Sequence, residues 1–344
     1  MTRSLRIWLP AIRAGSGADV FVQRLALGLE RAGHQPHAQW FDHRYELAPW
    51  RLRSFDAPYG TDVVHANSWQ GFAFKRPGIP LVVTEHQYVA HPAFAPYQGR
   101  LQGIYHRRFI HACMRRSFSA SAAVVTVSEF CAEAMRLDLD RRVRVIHNWV
   151  DSEHFSPIAS TSSQLGADRT IRLLFVGNPS RWKGADILPA VARELGEGYE
   201  VQCLGGLRKG FDLAQLPPNM KLLPRVEMDE MPSVYRSADI ALVPTRYEAF
   251  GYVALEAMAC GLPVVGFDSA GTKEVCVHGE TALLAPLDDV RKLIAYVRQL
   301  ADDRVLLRRL GEAGRHRAVS EFSAIDSVSA YIDTYQAAIS HEER

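Results

Sequence analysis

Disulfide-forming cysteine is what this sequence most plainly lacks. Its five cysteines (Cys113, Cys131, Cys203, Cys260 and Cys276) are scattered through 344 residues without pairing or metal-ligand spacing. That argues against a disulfide scaffold or a zinc ribbon, and predicts reduced thiols in a cytoplasmic setting. Long apolar runs are missing too: no stretch approaches the roughly 20 residues that cross a bilayer. The opening MTRSLRIWLPAIRAG is broken by Arg6, Pro10 and Arg13 and lacks the apolar core of a signal peptide. Lysine is scarce, with 34 of the 40 basic residues being arginine, and no nucleic-acid partner is expected. Between Glu85 and Glu129 no acidic residue occurs, while five arginines and four histidines do.

That last gap belongs to a wider asymmetry. Residues 1–150 carry 19 Lys and Arg against 11 Asp and Glu, whereas the remainder carries 21 against 27. The net charge of +2 therefore conceals a basic half suited to anionic partners. Hydrophobic residues make up 47% and charged residues 23%, ordinary for a globular chain, and the length suggests two domains.

Strand and helix patterns alternate along both halves. In the first, SLRIWLP, DVVHA, IPLVVTEH, AAVVTVS and RVRVIHN read as strands. VFVQRLALGLERAG, LQGIYHRRFIHACMRRSF and EFCAEAMRLD read as helices. The strands are nearly continuous apolar runs, which predicts a parallel sheet covered on both faces. Residues 157–169, PIASTSSQLGADR, have no periodicity and read as a linker. A second alternating series then runs to a final helix with apolar or small positions at Ile325, Val328, Tyr331, Ile332 and Tyr335. The expected domains are 1–156 and 170–322. Two doubly wound sheets place their ligand crevices at the C-terminal ends of their strands.

Three segments carry chemistry. In PTRYEAFGYVALEAMACG (244–261), a buried strand leads to a loop with Glu248, then Phe250-Gly251, then a helix carrying Tyr252, Val253 and Glu256. Helix N-terminal amides attract anions, and a glycine there lets a ligand approach the backbone. In LFVGNPSRWKG (174–184), a strand and a glycine turn are followed by Asn178, Arg181 and Lys183, the last two being cations suited to a pyrophosphate. In AGSGAD (14–19), Gly15 and Gly17 form a turn between the first strand and first helix, with Asp19 as a candidate helix cap. Plainer readings exist for each: Glu248 as a helix cap, Glu256 as a surface carboxylate, Lys183 as an exposed lysine.

The first segment, with the flanking PVVGFDSAGTKEVCVHGETALL, resembles the signature of glycosyltransferase family 4, two glutamates separated by seven residues with Phe-Gly between. The resemblance is strong from about 171 to 285 and looser in 1–150. It implies an α/β chain of two Rossmann-like doubly wound domains facing across a cleft (the GT-B fold), with helix 323–344 packing back onto the first. It further implies a retaining, metal-independent hexosyltransferase that takes a UDP- or GDP-sugar as donor and needs no cofactor. Glu256 would bind the ribose hydroxyls and Glu248 the donor sugar, with neither acting as a nucleophile. Lys183 would hold the diphosphate. The family's usual arginine after the strand-ending glycine is here Asn178, and Arg181 can replace it. Arg225 and Val226 would lie near the base. His86, at the end of LVVTEH, would contact the sugar. His65 and Asn67 in DVVHAN and Ser128 in VVTVSEF would face the acceptor. Asn148 matches a further position, but Trp149 replaces the family's glycine.

The acceptor implied is a glycan or lipid-linked hydroxyl, in bacterial surface polysaccharide or glycolipid assembly. At 100° per residue, Arg100, Arg107, Arg108, His111 and Arg115 of helix 100–116 share one face, with Tyr105, Phe109, Ala112 and Cys113 opposite. That basic face predicts attachment to an anionic membrane surface, the cytoplasmic side of the inner membrane. Three alternatives stay open: a nucleotide-sugar 2-epimerase, a sugar phosphorylase, and a non-catalytic nucleotide-sugar-binding partner subunit.

Overall fold

The computed structural model describes residues 3–13, 15, 17–139, 141–157, 169–205 and 216–342. The expected linker lies, but for its two end residues, outside them. The chain folds as two compact units, one made of 1–148 with 324–344 and the other of 149–323.

The first unit runs β1 (Arg6–Ile12), α1 (Gly17–Arg31), β2 (Gln35–Phe41), β3 (Val63–Asn67), β4 (Leu81–Glu85), α2 (Arg100–Tyr105), α3 (His111–Ala120), β5 (Ala123–Thr126), α4 (Glu129–Asp138) and β6 (Arg144–Val145). Its sheet is parallel, in the order β2-β1-β3-β4-β5-β6. Sequence patterning misses β2, QPHAQWF, because it is an edge strand. Only one neighbour covers it, so it alternates polar residues with aromatic ones, and an edge tolerates Pro36. β3 and β4 are central and buried along nearly all their length, as their unbroken Val-rich runs require.

The second unit runs β7 (Ile171–Val176), α5 (Leu188–Leu195), β8 (Tyr199–Leu204), β9 (Met220–Leu223), α6 (Met231–Ser237), β10 (Ile240–Val243), α7 (Tyr252–Ala259), β11 (Val264–Phe267), α8 (Ala270–Val275), β12 (Ala282–Ala285), α9 (Val290–Asp302) and α10 (Arg304–Glu321). This sheet is also parallel, in the order β12-β11-β10-β7-β8-β9. Its core joins Leu173, Phe175, Leu242, Val265 and Phe267 of the strands to Leu188, Val191, Leu293 and Val297 of α5 and α9. Asp289 and Asp303 accept from backbone N–H groups at the starts of α9 and α10 and fix where those helices begin.

Residues 149–155 group with the second unit, whereas the sequence places them in the first. The reason is Arg315 of α10, whose guanidinium donates to the carbonyls of Ser152, Phe155 and Ala259. The final helix, α11 (Ala324–Glu342), belongs to the first unit. It buries Val328, Tyr331, Thr334, Tyr335 and Ala338, each large side chain contributing roughly 1.5–3 kcal/mol. Ile325, expected on that face, is instead 80% exposed at the helix start. A Cβ on Gly28 of α1 would lie 2.5 Å from Val328, so glycine is what lets α1 and α11 pack this closely.

Helix 100–116 is not one regular helix. A π-helical turn, His106–Ile110, separates α2 from α3 and shifts the register of the residues beyond it. The buried face becomes Gly103, His106, Ile110, Cys113 and Met114, and Ala112 turns outward. Arg100, Arg107, Arg108 and Arg115 are exposed as expected, His111 only partly. No described helix is long and apolar enough to cross a membrane.

Candidate functional site

In each sheet the chain first winds to one side of its opening strand and then to the other, leaving a switch point where the two directions part. In the second unit that point lies between β7 and β10. The segment after β7 carries Asn178, Arg181 and Lys183, and the segment after β10 carries Glu248, so topology alone brings them to one edge. There the Lys183 ammonium forms an ion pair with Glu248 Oε2, both side chains about one-fifth exposed.

The two segments are fastened to each other. The Trp182 carbonyl accepts from the backbone N–H groups of Arg246 and Tyr247, at 2.7 and 3.3 Å. Gly184 sits at φ +75°, and a Cβ there would lie 2.1 Å from the Pro244 carbonyl oxygen. No other residue fits that close approach. Arg246, its side chain 7% exposed, donates to Asp186 (2.6 and 3.1 Å), to Asp288, and to the Arg181 carbonyl. Burial disfavours its charge, but the two carboxylates outweigh that and hold its pKa above the usual value.

Past Glu248, Phe250 is buried and Gly251, at φ +104°, is the residue before α7, whose first residues are the half-buried Tyr252 and Val253. The Glu248 carbonyl accepts from Gly271 N–H at 3.0 Å, which ties the loop to α8. Glu256 lies one turn into α7, buried, and its Oε2 accepts from the Tyr235 hydroxyl at 2.9 Å. It is thus not the surface carboxylate of the plainer reading. Asn178 and Arg181 are exposed, and Arg181 has no acidic partner among the described residues. Arg225 (exposed) and Val226 follow β9, at the same edge but two strands from β7.

In the first unit the switch point lies between β1 and β3. Gly15 (φ +63°) follows β1, and its N–H donates to Asp19 Oδ2 at 2.8 Å; Gly17 opens α1. Asn67 ends β3 with Oδ1 accepting from Trp69 N–H, a tight local turn. His86 follows β4 and is half-buried, its ring 4.4 Å from that of Phe21, with no hydrogen bond to either ring nitrogen among the described residues. Burial lowers its pKa to about 4, so at neutral pH it is an uncharged imidazole able to donate or accept.

Two acceptor expectations need correction. His65 is 4% exposed: Nδ1 is bonded to the Tyr335 hydroxyl and Nε2 to Thr84 Oγ1, each at 2.7 Å, leaving neither nitrogen for a substrate. Ser128 is fully buried and its hydroxyl accepts from Cys131 N–H, capping α4. Asn148 and Trp149 are likewise inside. The sequence has one Asp-x-Asp spacing, Asp138-Leu139-Asp140, which the expectation of a metal-free site passes over. Asp138 there receives bonds from His111 and Tyr88 and an ion pair from Arg115.

Sequence reading also misses Arg246, Tyr235 and Glu85. Glu85 is fully buried, its carboxylate accepting from Ser68 Oγ at 2.5 Å and Gln87 N–H at 2.8 Å. Burial nevertheless raises its pKa to about 7, outweighing those bonds. An acid inside the apolar run LVVTE was the available signal.

Comparison with known proteins bears on the family and the fold. The family described as "Glycosyl transferases group 1" matches residues 160–317, and "Glycosyltransferase Family 4" matches 39–154, together most of the chain. A D-inositol 3-phosphate glycosyltransferase of Geodermatophilus obscurus is 33% identical over 219 residues, 58% of this chain and 48% of that protein, about half its length. Its namesake from Pseudarthrobacter chlorophenolicus is 29% identical over 311 residues, 82% of this chain and 72% of the relative. Among solved structures, sucrose-phosphate synthase from Thermosynechococcus elongatus superposes with a TM-score of 0.79 at 20% identity, covering 96% of this chain and 98% of that one. Anabaena HepE in complex with UDP-glucose gives 0.73 at 18% identity, covering 97% and 100%. At such identities the structures speak to the fold, two parallel Rossmann-like sheets.

Proposed function

Because this chain belongs to the family 4 glycosyltransferases of GT-B fold, we propose that it moves a sugar from a nucleoside-diphosphate donor to a hydroxyl of a glycan or lipid-linked acceptor, with retention of configuration. The observation that carries this is the meeting of Lys183 and Glu248 at the switch point of the second unit, beside the start of α7.

Transfer requires the departing diphosphate to be stabilised. The Lys183 ammonium, the exposed Arg181 guanidinium and the N-terminal amides of α7 supply positive charge at one edge, an electrostatic role that needs no metal. In this structure the Lys183 ammonium is paired with Glu248. A bound diphosphate would compete for that ammonium and leave the Glu248 carboxylate to orient sugar hydroxyls. Glu256, whose Oε2 accepts from the Tyr235 hydroxyl, would use its remaining carboxylate capacity to accept from ribose hydroxyls. The neutral imidazole of His86 is suited to a sugar hydroxyl. On this reading the acceptor oxygen attacks from the face the leaving group departs, and the leaving phosphate takes its proton. No protein nucleophile is involved.

HepE in its complex holds UDP-glucose, which supports UDP-sugars as the first donors to test. The working place is the cytoplasmic side of a membrane, in surface polysaccharide or glycolipid assembly. Exposed Arg100, Arg107 and Arg108 beside Leu101 (84% exposed) and Ile104 (53%) support peripheral attachment to anionic lipid.

A thermal-shift screen of UDP-, GDP- and ADP-sugars tests the donor, because ligand that binds only folded protein raises the melting temperature. One class should raise it in the wild type and fail to in Lys183→Ala and Glu256→Ala. No response to any nucleotide sugar, or equal responses in both variants, would sink the assignment. Arg107→Glu with Arg108→Glu should release the protein from phosphatidylglycerol vesicles; unchanged co-sedimentation removes the membrane claim.

A further inference from the structure

The first unit carries a basic concavity lined by residues outside the proposed donor site. It is an open depression of about 920 Å³, lined by Arg53, Lys75, Arg76, Arg115 and Arg116, with Asp56 the single acidic residue in its lining. Chain direction fixes its place. Lys75 and Arg76 lie on the return to the start of β4, and α3 ends at Ala120 just before the start of β5. The concavity is therefore at the N-terminal edge of the first sheet, opposite the edge that bears His86 and Asn67.

Three of the five cations have partners. Lys75 pairs with Glu342 at 3.0 Å, and Arg115 pairs with Asp138 at 3.6 Å. Arg76 donates to the carbonyls of Phe55, Ala73 and Lys75, which fixes it in the wall. Arg53 and Arg116 are different: both are exposed, and neither has a carboxylate partner among the described residues. Arg53 lies over the Phe72 ring, 5.5 Å from its centre, a contact that orients the guanidinium. Two planar donor forks that no described carboxylate engages, set in one concavity beside the fixed Arg76 guanidinium, match the tetrahedral oxygens of a phosphate better than a single carboxylate.

We propose that this concavity binds a phosphate-bearing ligand, a phosphate ester or diphosphate group, at a site separate from the donor site. The ligand is either free in solution or part of a lipid headgroup, and the two sources are separable by experiment.

Inorganic pyrophosphate is titrated calorimetrically into the full chain at low salt, and vesicles of phosphatidylcholine with and without phosphatidylglycerol are co-sedimented with it. The same is done with Lys183→Ala, and with a Lys183→Ala/Arg107→Glu/Arg108→Glu background, which silences the donor edge and the basic face of helix 100–116, alone and carrying Arg53→Gln/Arg116→Gln or Arg53→Glu/Arg116→Glu. Removing two charge-assisted contacts should weaken the background's binding at least about tenfold with either Arg53/Arg116 pair. Lys183→Ala and the background alone should keep this binding, which separates it from the donor site. Pyrophosphate binding by the background, lost with the added pairs, assigns a soluble ligand. Vesicle binding lost with them, without pyrophosphate binding, assigns a headgroup. Binding of neither probe by the background, or binding that survives both added pairs, overturns the proposal. Because both side chains are exposed, circular dichroism and melting should match the wild type.

Discussion

Replacing Arg246 with methionine keeps most of the side-chain volume and deletes the guanidinium that joins three loops of the second unit. In the wild type that group donates to both oxygens of Asp186, to Asp288 and to the Arg181 carbonyl, from a side chain only 7% exposed. Hydrogen bonds to charged groups contribute about 1.5–3 kcal/mol each when buried. Asp186 and Asp288 are 44% and 54% exposed, so once released they regain water and much of that loss is offset. A net destabilisation of about 2–3 kcal/mol results, or roughly 4–10 °C in melting temperature for a domain of this size. The same loss frees the 181–186 segment that carries Lys183, so the donor KM should rise about tenfold while kcat changes less. Arg246→Lys should not restore either property, since one ammonium cannot span two carboxylates and a carbonyl. Melting curves and donor-saturation kinetics on the two variants are the assays. Unchanged melting and donor KM, or full rescue by lysine, would refute the claim that Arg246 positions the site.

Glu248→Gln removes the competitor for the Lys183 ammonium; turnover should fall at least about tenfold with donor affinity retained or improved, and a parallel loss of affinity would contradict the pairing argument. Gly184→Ala forces a Cβ against the Pro244 carbonyl at positive φ and should cost about 2 kcal/mol or more, read by denaturant unfolding; a wild-type midpoint would show the approach is not needed. His65 and His86 have pKa values lowered to about 3 and about 4 by burial. Their neutral forms therefore stabilise the first unit above the ordinary histidine pKa, and that stability is lost as pH falls from about 6.5 toward 4. Glu85 has the opposite sign: with its pKa raised to about 7, its contribution is complete below the ordinary carboxylate pKa and lost as pH rises through 7. Glu85→Gln should accordingly gain stability relative to wild type between about pH 5 and pH 8, and melting curves with a constant difference across that range would rule this out.

The parallel sheets and the meeting of Lys183 with Glu248 were legible because central strands advertise themselves as unbroken apolar runs, and because both residues sit within short, distinctive segments. Edge strand β2 was not legible, since a strand with one neighbour carries little apolar signal. Arg246 was hidden for a different reason: its partners Asp186 and Asp288 are 60 and 42 residues away, and spacing along a chain says nothing of such a meeting. His65 misled because a strand-end histidine looks alike whether it faces a ligand or a distant tyrosine, and the tyrosine here is 270 residues on. In helix 100–116 an ideal 100° step put Ala112 on the wrong face, because a π turn cannot be read from periodicity that assumes there is none.

The return of α11 to the first body makes the two halves unequal as pieces of polypeptide. The second is one uninterrupted stretch, residues 149–323. The first is split, its opening strands and its closing helix separated along the chain by residues 149–323. Stopping the chain near residue 148 would strip Tyr331 and Tyr335 from His65 and Thr84 and leave a buried imidazole facing water. A separable version of that half has to be made by splicing, with residue 148 joined through a short linker to residue 324.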